Sequence, residues 1–296
     1  MKQKFIIYTF SFNIVSGGVI VLHQLCDLLN QQGHDAKLWI YKKPIFDKKR
    51  PFLSLAKIFK YKTRKRFKTH HSFNTPIAKA SDLENAIVIY PEIIDGNPLN
   101  AKHVVRWLLH KPGFHSGRIN YGNDELIFGY GKECSGSGII IDDSNLLVLR
   151  YIMSDVYKQK NFEKRSGSCY MVRKGIDKPF VHDEDAICVD TYTHEELSEI
   201  FNKVERFISY DPYTYYTTYA SLCGCDSIVI PDDTVSKEQW HPKEADRYGI
   251  AYGLDDITYS KESKNLMIYY IKAQEKESFD AAQKFASKCI EHFIKN

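Results

Sequence analysis

Between Phe207 and Pro231 the chain reads as a strand, an acidic turn, a helix, a turn of small residues and a second strand. Asp211 follows the first strand, and Tyr213, Thr214, Tyr215 and Thr217 set a run of hydroxyls behind it. An acid at that place serves either as a helix cap alone or, with the hydroxyls, as a polar lip for a ligand at a strand's carboxyl end. Arg173, Lys174 and Lys178 come directly after another apolar run, Cys169 to Val172. Cations there suit a diphosphate, and they read equally as plain surface charge. Ser16-Gly17-Gly18 opens a helix directly after a strand, where glycines let backbone N–H groups approach a phosphate or an acceptor oxygen. The loop is neither G-x-G-x-x-G nor a Walker loop, which excludes the usual dinucleotide and P-loop readings. His110 follows a further apolar run and is a candidate general base for an acceptor hydroxyl. Glu92, after Tyr90-Pro91, also ends a strand and is a candidate acceptor contact; a lone His is more often structural than functional, and His23 and His115 read that way first. The acids at 142–143, 183–185, 232–233 and 255–256 fall at turns, where surface carboxylates are ordinary, so no catalytic metal is expected.

These residues need strand ends to stand on, and the hydropathy pattern supplies them. Phe5 to Tyr8 predicts a strand, and Val19, Leu22, Leu25, Leu28 and Leu29 recur at helical spacing up to Gly33. Lys37 to Tyr41 is the next strand, so the chain opens as strand, loop, helix, strand. Apolar runs at 86–90, 103–109, 125–130, 138–141 and 146–149 predict further strands. The second half restarts the pattern, with strands at 169–172, 186–189, 207–209 and 227–230, helices at 194–204 and 213–222, and a helical tail from about 260 to 294. This is an α/β chain of two Rossmann-like domains, 1–158 and 159–296, the first with a basic insertion at 42–71 and the second with the nucleotide-side motifs and the terminal helices. In such sheets ligands sit at the carboxyl ends of the strands, and with two domains the natural site is the cleft they face.

The chain's 296 residues, 43% hydrophobic and 26% charged, exclude a disordered tail, a fibre and a disulfide miniprotein. Seven cysteines lack metal spacing and suggest a reducing compartment. Met1 to Lys4 lead straight into the first strand without a signal-peptide h-region, and no apolar window is long enough to span a bilayer, so a cytoplasmic protein is expected. The net charge of +4 conceals an asymmetry: residues 42–68 carry twelve Lys and Arg against Asp47 alone, leaving −7 for the rest. Leu55, Ile58 and Phe59 give that segment one helical apolar face. A solvated loop, an anionic membrane surface and nucleic acid are the three readings of it, and no nucleic-acid-binding motif supports the last.

The stretch around Asp211, with Cys223-Gly224 behind it, resembles the nucleotide-sugar motif of GT-B glycosyltransferases, in which an acid, a second acid eight positions on, a small-residue turn and an apolar strand follow one another. Gly17-Gly18 before a helix, Gly33-His34-Asp35, Lys174-Gly175 and the terminal helix crossing back to the first domain extend the likeness, which is nearest to bacterial enzymes of capsule, O-antigen and lipopolysaccharide synthesis, the rhamnosyltransferase-like group included. Tyr219 stands where the second acid belongs, a departure that removes the usual carboxylate contact to the donor ribose. The resemblance implies a metal-independent transfer of sugar from a nucleoside diphosphate sugar, with no other cofactor, to a glycan or lipid-linked glycan. It places Arg173, Lys174, Lys178, Gly17 and Gly18 at the diphosphate and Tyr213, Thr214, Tyr215, Thr217 and Tyr219 at the sugar or nucleotide. Asp211 and His110 would be catalytic, Glu92 would face the acceptor, and residues 42–68 would give a peripheral inner-membrane contact. A non-catalytic glycan-binding or scaffold protein and a nucleotide-sugar epimerase are the alternatives.

Overall fold

The computed structural model describes residues 2–14, 16–46, 49–62 and 67–295. The chain forms two compact units, one of Met1–Tyr151 with Glu275–Asn296 and one of Ile152–Gln274.

The first unit begins with β1 (Lys4–Thr9), α1 (Gly17–Gln31) and β2 (Asp35–Ile40), followed by α2 (Pro51–Lys62), β3 (Ile87–Pro91), β4 (His103–Leu108) and β5 (Leu126–Gly129). The five strands are parallel, in the order β2-β1-β3-β4-β5. They read as near-continuous apolar runs because both faces are covered. One face packs Phe5, Ile7, Ile87 and Ile89 against Leu22, Leu25 and Leu29 of α1 and against Ala282, Phe285 and Cys289 of the returning carboxyl-terminal segment. The other packs Ile6, Tyr8, Trp39, Val88 and Tyr90 together. Each fully buried Leu or Ile contributes roughly 1.5–3 kcal/mol.

Two of the expected strands are absent. The residues at 138–141 and 146–149 make only single bridges, Gly136 with Ile139 and Leu146 with Gly129. Ser137 and Gly138 both adopt left-handed backbone, which turns the first segment back on itself. Asp142 then accepts from the backbone N–H groups of Ser144 and Asn145, capping a tight turn that breaks the run before Leu146.

The second unit holds β6 (Ser168–Met171), β7 (Ile187–Cys188), α3 (His194–Phe201), β8 (Arg206–Ser209), α4 (Tyr216–Cys223), β9 (Asp226–Val229), α5 (Lys237–Trp240) and β10 (Ile250–Tyr252). The last helix, α6 (Ile257–Ile290), begins in this unit, and its residues from Glu275 onward belong to the first. The sheet is again parallel, in the order β7-β6-β8-β9-β10. Both sheets are therefore Rossmann-like with the order 2-1-3-4-5, whose topological switch point lies between the first and third strands of each unit. All seven cysteines are free, and only Cys188 is exposed.

Candidate functional site

Each unit carries a polar constellation at its own switch point. In the second unit, β6 and β8 are neighbours, and the loops leaving their carboxyl ends meet. The β6 loop is held from below by Asp190, whose carboxylate accepts from the N–H groups of Val172 at 3.0 Å and Arg173 at 3.1 Å. Arg173 adopts left-handed backbone, φ +42°, unusual for a residue with a long side chain. Gly175 then passes so close to β8 that a Cβ there would stand 2.0 Å from the Tyr210 carbonyl oxygen. Only glycine allows this approach of one loop to the other.

The result is that Arg173 Nε lies 3.8 Å from Asp211 Oδ2. The Asp211 side chain is 5% exposed and that of Arg173 44%. Asp211 also accepts from the N–H of Tyr213 at 3.2 Å, and the Arg173 guanidinium sits over the Tyr216 ring at 5.5 Å. A buried acid and an aromatic face thus hold a cation whose outer edge meets solvent, an arrangement chemically able to receive a pair of anionic oxygens. Lys174 is exposed beside it. Lys178 is committed to the fold: its ammonium donates to the Ile230 carbonyl at 2.6 Å and pairs with Asp232 at 2.7 Å.

The hydroxyl run separates into two environments. Tyr213, Thr214, Tyr215 and Thr217 line a cavity of about 170 Å³ with His241, Tyr270 and Gln274. Tyr213 and Tyr215 are exposed, while the Thr217 hydroxyl donates to the Thr214 carbonyl at 2.9 Å. Trp240 fixes the turn that carries them, its indole N–H donating to the Pro212 carbonyl at 2.7 Å. Tyr219 lies behind them in the interior, 8% exposed, its ring edge-on to Tyr215 at 5.3 Å and stacked on Tyr157 at 4.2 Å with the rings 6° from parallel. Burial pushes its phenol well up.

In the first unit the switch point lies between β1 and β3. A cavity of about 370 Å³ there is lined by Ser16, Gly18, Pro91, Glu92, Leu109 and His110, among others. A Cβ at Gly18 would touch Leu109 at 3.4 Å, and one at Gly17 would meet no atom within 4 Å, so the amino-terminal turn of α1 is open on that side. Glu92 is 6% exposed, and burial raises its carboxyl above the usual glutamate value. The carboxylate accepts from the N–H of Leu109 at 3.1 Å. His110 packs on Phe114, ring centres 4.1 Å apart, and its Nδ1 accepts from the N–H of Lys111 at 2.8 Å. That bond leaves Nε2 as the nitrogen bearing hydrogen in the neutral ring, a donor toward its surroundings.

Sequence reading did not find what holds Glu92 in place. Arg106, fully buried, donates to both Glu125 carboxylate oxygens at 2.8 Å and to the carbonyls of Ile94 and Gly96 at 2.6 and 2.9 Å. Its guanidinium lies over the Tyr121 ring at 4.4 Å, and the Tyr121 hydroxyl donates to the Glu92 carbonyl at 2.9 Å. An arginine in the middle of an apolar strand was the available signal, since a buried charge requires such partners. Asp190 was also missed, because it matters only through its contact with the loop after β6.

No family model matches the chain, and no curated protein matches it in sequence. Among solved structures it is similar to sucrose-phosphate synthase from Thermosynechococcus elongatus, at 11% identity and a TM-score of 0.32, over 95% of this chain and 94% of that one. At that level of likeness the two sheets themselves define the fold.

Proposed function

We propose that this protein is a glycosyltransferase that moves a sugar from a nucleoside diphosphate sugar to a glycan acceptor of bacterial surface-polysaccharide synthesis. The observation that carries the reading is the Arg173–Asp211 pair at the β6/β8 switch point, a half-exposed cation held by a buried acid where such sheets take phosphorylated ligands. Arg173, aided by Lys174, receives the diphosphate and stabilises the charge that grows on it as the glycosyl bond breaks. Asp211 acts as a positioning residue through Arg173. Tyr213, Thr214 and Tyr215 offer exposed rings and hydroxyls to the nucleotide or sugar. The Glu92–His110 cavity of the first unit takes the acceptor, with the raised carboxyl of Glu92 placed to accept a hydroxyl proton and His110 donating a hydrogen bond through Nε2, while Gly17 and Gly18 keep the open backbone turn that suits a phosphate oxygen.

The test is release of free nucleoside diphosphate from a panel of nucleotide sugars, with and without added glycan. Release that depends on the acceptor and disappears in Arg173→Ala supports the reading. Interconversion of nucleotide sugars without release would instead make the protein an epimerase. The burial of Tyr219, at the place of the second acid, favours a non-catalytic glycan-binding protein as the second reading. Glycan binding without nucleotide binding would establish it.

A further inference from the structure

We propose that α2 and the lysine-lined cavity beside it form a docking surface for anionic membrane lipid, the helix entering the interface and the cavity receiving lipid phosphate. The inference stands apart from the sugar-transfer reading.

The helix is amphipathic in the inverted sense. Ser54, Ile58 and Tyr61, at i, i+4 and i+7, form its inward face and are buried or half-buried. Phe52, Leu55 and Phe59, at i, i+3 and i+7, face solvent at 87%, 55% and 72% exposure, and Leu53 is 49% exposed. The sequence pattern grouped Ile58 with Leu55 and Phe59, but the fold separates them. An outward apolar stripe of this kind is costly in water and is explained by an occupant. Lys57 and Lys60 are exposed on the same helix.

A cavity of about 490 Å³ adjoins this helix at the carboxyl end of β1 and β2. Lys42, Lys43, Lys57 and Lys60 line it with Tyr8 and Tyr61, and no carboxylate among the described residues does. Its wall is fixed: the Lys42 N–H donates to the Tyr8 hydroxyl at 3.1 Å, and the Lys43 ammonium donates to the Ala78 carbonyl at 2.5 Å over the Trp39 ring. The cavity's charge calls for an anion, and the neighbouring stripe calls for hydrocarbon. A lipid headgroup region offers both together. Nucleic acid would meet the lysines but would gain nothing from Leu53 and Leu55. A second copy of the chain would bring the same surplus of eleven positive charges against this one.

Sedimentation of the full-length protein with vesicles tests the proposal, using phosphatidylcholine alone and phosphatidylcholine mixed with phosphatidylglycerol. We expect binding to the mixed vesicles only. Lys57→Gln/Lys60→Gln should weaken it by about fivefold per lysine, and Phe52→Ser/Phe59→Ser by about tenfold or more. Inorganic phosphate at matched ionic strength should release no more protein than chloride does, which separates lipid phosphate from free phosphate. Emission from Phe52→Trp, compared with the parent protein, should shift to the blue on the mixed vesicles, a readout independent of any effect of the serine variants on the helix. Equal binding to both vesicle types, no response to either double variant, or binding of single-stranded RNA that ignores Phe52→Ser/Phe59→Ser would overturn the proposal.

Discussion

The guanidinium of Arg173 and the carboxylate of Asp211 face each other at 3.8 Å where the loops after β6 and β8 converge. The contact exists because three local features agree. Asp190 accepts the backbone N–H groups of the β6 loop, Arg173 takes up a left-handed conformation, and Gly175 lets that loop lie against Tyr210.

Replacement of Arg173 should therefore cost both binding and stability. Arg173→Gly relieves a left-handed side chain, roughly 1–2 kcal/mol, against an added chain-entropy cost of roughly 0.5–1 kcal/mol for glycine. Those two terms nearly cancel, and loss of the cation facing the buried Asp211 carboxylate decides the sign, so we predict a melting temperature below that of the parent. Nucleoside diphosphate affinity should fall about 10- to 100-fold, because hydrogen bonds to a charged group are lost. Calorimetric titration beside a melting curve reads both quantities.

Gly175→Ala should damage the fold first. The added Cβ would collide with backbone at Tyr210, which has no flexible end to move aside. A loss of about 2 kcal/mol or more, seen as a melting temperature about 4 °C or more lower, is expected. An unchanged melting curve would mean that the two loops are not packed as described.

Glu92 predicts a pH signature. Its folded carboxyl titrates above the usual value of 4.5, so the folded state holds the proton more tightly than the unfolded state does. Stability from this group is full below the unfolded pKa and is lost as pH rises through the folded one. Glu92→Gln, which keeps an acceptor for the Leu109 N–H, should thus melt higher than the parent at neutral pH. The two curves should converge as pH falls toward 4.5. A constant difference at every pH would show that the carboxyl is not displaced.

Tyr219 should prove structural. Tyr219→Phe keeps the stack on Tyr157, costs about 1 kcal/mol for the hydrogen bond between its hydroxyl and the Met153 backbone, and leaves nucleotide affinity unchanged. Tyr219→Asp, which restores the acid of the resembled motif, buries an uncompensated charge and should destabilise by about 3–5 kcal/mol. A gain in nucleotide binding from that aspartate would refute the assignment.

The two sheets were legible in sequence because strands covered on both faces are apolar throughout, as Ile6-Ile7-Tyr8 and Ile87 to Tyr90 are. β10 was not, since Ile250-Ala251-Tyr252 is too short to stand out from a loop. The runs before Ile141 and after Leu146 misled, because left-handed Ser137 and the Asp142 cap override their apolar character. Sequence placed Arg173 and Asp211 each at a strand end, Glu92 and His110 likewise. It did not reveal the contacts that orient them: Asp190 acts across 17 residues on Arg173, and Arg106 supports the Glu92 loop through carbonyls that carry no sequence signature.

No helix among the described residues is long and apolar enough to cross a membrane. The central claim is a diphosphate site at Arg173. The most direct test is a thermal-shift series with UDP, GDP, dTDP, CDP and CMP on the parent protein and on Arg173→Ala/Lys174→Ala. A ligand that binds only the folded state raises the melting temperature, by about 2.7 kcal/mol of stability at a hundredfold excess over Kd. The account predicts a rise with a nucleoside diphosphate that is absent with CMP and absent in the double variant. No rise with any of the diphosphates, or a rise that the double variant keeps, would contradict it.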